Sequence, residues 1–125
     1  KHVPTVKAYI SQVEKLEPAY FHYGPARYWG AYYAVLPSFA GQDLAKSSEY
    51  FAASLTGAPN YLGTYVLRAE NLHVLKQDVE AFRKDLNHVI NADPNAVKGI
   101  EPENQMEQDK ARKLLARESE LFTAK

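Results

Sequence analysis

Cysteine is absent from this chain. That excludes disulfides, thiolate metal sites and cysteine nucleophiles but leaves the compartment open, since reducing and oxidising environments both tolerate it. Net charge is absent too: fifteen basic residues balance fifteen acidic ones, so no long-range field draws in nucleic acid or an anionic membrane. No apolar run approaches the roughly 20 residues that span a bilayer, and no signal-peptide pattern is visible. The four histidines, His2, His22, His73 and His88, are scattered, and none stands with a carboxylate and a nucleophile at a spacing that suggests a triad. What is present is 125 residues, enough for one domain that buries about two-thirds of its unfolded surface without covalent staples. Aromatics make up 12% of the chain and are mostly tyrosine. The first residue is Lys1 and not Met, which reads as a processed form or an expressed piece whose targeting segment has been cut away.

The chain is organised around residues 20–36, where aromatics crowd together and charge nearly vanishes. From residue 18 to residue 42 the only charged side chain is Arg27. Pro25 can open a helix, because proline is tolerated at the first helical position, and Pro37 ends it after Leu36. At about 100° per residue, Trp29, Tyr32, Tyr33 and Leu36 share one face, Tyr28 and Val35 flank it, and Gly30, Ala31 and Ala34 lie opposite. No side of this helix is built for water. It is too short and too interrupted by proline and glycine to cross a bilayer, so it reads as the central helix of an all-helical domain.

Apolar residues at three- and four-residue spacing predict the other helices. Residues 3–16 form an outer helix with Val6, Tyr9, Ile10, Val13 and Leu16 inward, ended by Glu17 and Pro18, and residues 19–23 add a turn. A proline- and glycine-marked loop spans 36–42, and Asp43 is a plausible N-cap. The helix over 44–55 carries Leu44, Ser47, Ser48, Phe51, Ser54 and Leu55 on its core side, where the serines suit a close neighbour, and Gly57 fits a C-terminal cap. Helices over 61–76 and from the Asp78 cap to 92 make a hairpin, with Leu62, Tyr65, Val66, Ala69, Leu72 and Leu75 on the apolar side of the first and Val79, Phe82, Leu86, Val89 and Ile90 inward on the second. Pro102 opens a last helix running to Phe122, with Leu114, Leu115, Leu121 and Phe122 on its apolar side.

A worn internal repeat is visible. Phe51-x-x-Ser54-Leu55-x-x-x-Pro59-Asn60 recurs as Leu86-x-x-Val89-Ile90-x-x-x-Pro94-Asn95, 35 residues on, close to the tetratricopeptide period of about 34. Gly30 and Tyr33 keep that repeat's Gly-x-x-Tyr spacing. The expected fold is all-α, tetratricopeptide-like stacked antiparallel helical hairpins with about six helices, in one domain over residues 1–125. An unrelated helical bundle is the alternative.

A more specific resemblance rests on Pro18-Ala19-Tyr20-Phe21, Gly24-Pro25-x-Arg27-Tyr28-Trp29-Gly30-Ala31-Tyr32-Tyr33-Ala34, Leu36-Pro37, Gly41-x-Asp43-Leu44-x-Lys46-Ser47-x-x-Tyr50-Phe51, Ala58-Pro59-Asn60-Tyr61-Leu62 and Pro102-Glu103-Asn104. With these the chain resembles the T component of TRAP transporters, the tripartite ATP-independent periplasmic uptake systems, from Pro18 to Phe122. Phe39-Ala40-Gly41 stands where a more glycine-rich loop is expected, and the family's earlier helices and lipoprotein signal have no counterpart before Lys1. The resemblance implies a bacterial periplasmic accessory protein that associates with the substrate-binding subunit, often as an oligomer, without catalytic activity or cofactor. It further implies that membrane contact is made only through a lipid anchor outside this chain.

Two chemical readings of the residues follow. A metal site would pair Glu70-x-x-His73 with Asp85-x-x-His88 on neighbouring helices, as in di-iron bundles. Helical projection puts Asp85 about 100° and His88 about 160° from the centre of the inward face, so His88 is expected in water and no metal site is expected. The other reading is partner or ligand binding by Tyr20, Tyr23, Arg27, Tyr28 and Tyr32. These tyrosines, with Tyr33, are too many hydroxyls for one dry core, so some are expected at a groove or interface. Trp29 and Tyr33 are expected in the core, and Tyr28 and Tyr32 at a contact surface. A buried Arg27 must be paired: with Glu17 or Asp43, with backbone carbonyls, or with a carboxylate of a ligand or partner protein. The function expected is a non-catalytic periplasmic scaffold of a TRAP-type uptake system that binds the substrate-binding subunit and offers an apolar groove to a small ligand. The alternatives are a generic interaction or oligomerisation module and a metal-dependent bundle enzyme.

Overall fold

The structure, a computed structural model, describes residues 2–17 and 19–123, with side chains from residue 6 onward. The break expected at Pro18 lies outside the described residues. Among them there are seven α-helices and no strand: α1 (His2–Leu16), α2 (Tyr20–Val35), α3 (Leu44–Gly57), α4 (Gly63–Leu67), α5 (Val79–Asn91), α6 (Glu101–Ala116) and α7 (Glu118–Leu121). The fold is all-α, as the periodicity predicts. No helix among the described residues is long and apolar enough to cross a membrane. The chain forms two compact units, Lys1–Pro59 and Asn60–Lys125.

In the first unit α2 and α3 lie close because small residues meet at their contact. A Cβ on Gly30 would stand 2.9 Å from the buried Phe51 ring. The Ser47 hydroxyl donates to the Gly30 carbonyl at 2.6 Å. Asp43 caps α3 by accepting from the Lys46 N–H at 3.0 Å, as expected of an acid before an apolar run. Helix ends leave carbonyls without intrahelical donors, and the returning loop supplies two: Gln42 Nε2 to Ala34 O at 2.9 Å and Asp43 N–H to Tyr33 O at 3.1 Å. Two expectations fail here. Gly57 is not a left-handed cap but the last residue of α3, and its missing side chain makes room for the Tyr23 ring, which a Cβ would meet at 2.3 Å. In α1, Ile10 and Val13 are half-buried while Val6, Tyr9 and Leu16 are exposed, because α1 rests on α2 along only part of its length.

In the second unit Leu62, Val66, Ala69, Phe82, Leu86, Val89, Ala111 and Leu114 form one core. Burial of each large side chain in such a cluster contributes about 1.5–3 kcal/mol. The helix expected over 61–76 is α4 continued by a π turn, Arg68–His73, whose Val74 N–H reaches back to Ala69 O. Asp78 caps α5 through the Ala81 N–H at 3.1 Å. The last helix expected over 102–122 is interrupted at Arg117 into α6 and α7. Two amides on α6 are buried: Asn104 accepts from Leu62 N–H and donates to Asn60 O, and Gln108 donates to Val89 O and Ala92 O.

Candidate functional site

The start of α2 departs from a right-handed helix. Phe21, His22 and Tyr23 have φ of 45°, 57° and 61°, three consecutive left-handed residues with full side chains. Each such residue costs about 1–2 kcal/mol, so the turn stores roughly 3–6 kcal/mol that its surroundings must offset. The surroundings are identifiable. Arg27, 8% exposed, donates from Nη1 to His22 O at 3.0 Å and from Nη2 to Phe21 O at 3.2 Å. The Ser54 hydroxyl on α3 donates to Tyr23 O at 3.0 Å. Every carbonyl of the turn is thus held, and the Tyr23 ring is seated over Gly57. Of the partners considered for Arg27, backbone carbonyls are found among the described residues, and its planar fork suits two of them at once.

The turn shapes an apolar recess of about 310 Å³, lined by Tyr9, Ile10 and Val13 of α1 and by Tyr20, Phe21 and Pro25. Tyr20 and Phe21 are exposed at its rim. Further along α2 the aromatics form a second group. Tyr28 and Tyr32 are half-buried and stacked at 6.1 Å, with Lys7 Nζ 4.9 Å from the centre of the Tyr32 ring, a cation–π geometry. Trp29 is buried beneath them against Tyr33 and Tyr50. Among the sequence candidates, then, Tyr20, Tyr23 and Arg27 come together at the turn, and Tyr28 and Tyr32 form the separate stack. Sequence reasoning passed over Phe21, Tyr9, Ile10 and Val13 as recess-forming residues. Tyr9, Ile10 and Val13 carried a signal, an apolar stripe, but it reads equally as core.

Titratable groups gather at one place in the second unit. Arg68 donates to both oxygens of Asp85, from Nε at 2.8 Å and from Nη2 at 2.7 Å, and His73 Nε2 lies 2.9 Å from Asp85 Oδ2. Burial pushes the Asp85 carboxyl up, but the Arg68 and His73 hydrogen bonds outweigh it and hold the group below the ordinary carboxylate range. The two acidic-x-x-His pairs do not converge. Glu70 and His88 are exposed, His88 lies against the Tyr65 ring at 4.4 Å, and no group of three or more metal-ligating side chains occurs among the described residues.

Fold and surface together define a small all-helical protein that displays aromatics from a backbone clamped in place. The family model for the TRAP transporter T-component matches residues 1–122. The chain belongs to that family, and with it to the accessory components of TRAP transporters. No curated protein matches the chain.

Proposed function

We propose that this chain is a non-catalytic periplasmic scaffold that docks the substrate-binding subunit of a TRAP transporter on the aromatic surface of α2. In this reading it is one domain of tetratricopeptide-like hairpins and acts as a homo-oligomer. It meets the membrane only through a lipid anchor outside these residues. Tyr28 and Tyr32 supply the contact, since tyrosines with a half-buried ring and a free edge carry interface energy. Tyr20 and Tyr23 extend it, and Arg27 acts through the backbone by fixing the turn that presents Tyr20. The single observation that carries the reading is the left-handed turn: strain of that size gathers at binding sites, and here it sets an exposed Tyr20–Phe21 pair beside an apolar recess. A recess of about 310 Å³ is within the range that takes an apolar group, whether of a small ligand or of a neighbouring protein.

Sedimentation of the chain mixed with the substrate-binding subunit encoded beside it tests the proposal. The expected result is a larger species in the mixture, lost in the Tyr28→Ser/Tyr32→Ser variant while helicity is retained. A mixture that sediments as its separate components refutes it.

A further inference from the structure

The loop after α2 carries a feature that the transport reading does not use. Phe39 is 91% exposed, yet it stands on an ordered turn, Ser38–Ala40. The Ala40 and Gln42 N–H groups both donate to Pro37 O, at 2.9 and 3.3 Å, and the Gln42 side chain ties the loop to Ala34 O. A phenyl ring carried on an ordered backbone leaves only its own side-chain freedom for binding to remove. The recess described above is its counterpart in size and chemistry. About 150 Å³ is enough to hold benzene, so about 310 Å³ takes the Phe39 ring and leaves room for part of a neighbouring aliphatic chain.

The two features lie at opposite ends of α2. Residues 24 to 35 rise roughly 16 Å along the axis at about 1.5 Å per residue, so Phe39 cannot fill the recess of its own chain. The geometry points to self-association in which Phe39 of one copy seats in the apolar recess of another. This rests on the homo-oligomer reading above and names its contact.

Charge and area favour a second copy as the occupant. No charged side chain occurs from residue 28 to residue 42, and none lines the recess, so both surfaces desolvate without stranding a charge, as the core of an interface requires. Phe39, Tyr9, Tyr20 and Phe21 are 91%, 64%, 56% and 53% exposed. At about 200 Å² per aromatic residue they leave roughly 500 Å² in water. The smallest specific interfaces bury about 1,200 Å² in all, a little over half of it apolar, so these four rings supply most of the apolar share. Because plug and recess are different surfaces, each copy passes its plug to another, and association ends when a ring closes or two copies exchange plugs reciprocally.

The test is sedimentation of the full chain over a range of concentrations, together with its Phe39→Ser and Val13→Glu variants. Self-association is expected for the unaltered chain, weakened roughly 30-fold or more in Phe39→Ser, the scale of losing a central aromatic anchor. Circular dichroism should show unchanged helicity, since Phe39 lies outside the core. The lack of native cysteine permits a second measurement. Mixed Ala40→Cys and Val13→Cys chains, both of which keep Phe39, should form the mixed disulfide in preference to either homodimer. A chain that stays monomeric overturns both this contact and the homo-oligomer reading. Self-association that neither variant weakens, or disulfides that form chiefly between like chains, overturns the contact and leaves the homo-oligomer standing. Benzene that binds the recess without dissociating the oligomer also overturns the contact.

Discussion

Replacing Arg27 by methionine removes two of the side-chain donors that hold the left-handed turn and leaves Ser54 on Tyr23 O. The two bonds are charge-assisted, and each such bond contributes about 1.5–3 kcal/mol. Against this, the variant no longer buries a guanidinium, whose desolvation costs several kcal/mol, and methionine is flexible enough to occupy part of the vacated space. Without its clamp the turn can also relax and release some of the strain at Phe21, His22 and Tyr23. The net expectation is a loss of about 2 kcal/mol. For a chain of this size that corresponds to a melting temperature lower by roughly 6–10 °C. The change should be local: amide exchange should quicken at residues 21–24 and stay unchanged in α5 and α6. Arg27→Lys should fall in between, because an ammonium cannot span two carbonyls as the guanidinium fork does. Thermal melts by circular dichroism and exchange measured by mass spectrometry give both quantities. Unchanged stability together with unchanged exchange at residues 21–24 would refute the clamp.

Gly30→Ala should destabilise the first unit by about 1–2 kcal/mol, because crowding against the buried Phe51 ring outweighs the gain in helix propensity; a higher urea midpoint would contradict the packing argument. Asp85→Asn should cost about 2 kcal/mol at pH 7, below the usual figure for a fully buried pair because Arg68 is partly exposed. Since the folded Asp85 carboxyl sits below its ordinary value, its contribution is complete above about pH 3.9 and is lost as pH falls through the folded value. Urea midpoints of the two proteins should therefore converge in acid, and a gap that stays constant from pH 7 to pH 3 would sink this account.

The helices were legible where one side chain decides a local question. Asp43 and Asp78 announce caps, Pro37 stops α2, and the small residues Gly30, Ser47 and Ser54 foretell a close approach. The site was less legible. A left-handed residue is marked in sequence by glycine or asparagine, and Phe21, His22 and Tyr23 are neither. Their conformation is imposed from outside, by Arg27 and by Ser54 more than thirty residues away. Asp85 projects off the centre of the apolar face, so periodicity could not show that a π turn brings Arg68 and His73 to it. The apolar stripe of α1 was legible as one face of an outer helix, but not that Val6, Tyr9 and Leu16 along it are exposed, because periodicity reports what a face is made of and not what lies opposite.

The two buried amides of α6 have a consequence for how this sequence can change over time. Asn104 and Gln108 grip backbone oxygens of Asn60, Val89 and Ala92, and a carbonyl is the same in every residue. These hydrogen bonds therefore set no demand on the side chains of the gripped positions, whatever packing asks of Val89 in the core, while the gripping ones are tied to a single functional group. Even Gln108→Glu, the smallest step in shape, would trade two donors for a carboxylate set against two carbonyls. Asn104 and Gln108 should therefore be the positions of that contact least open to change.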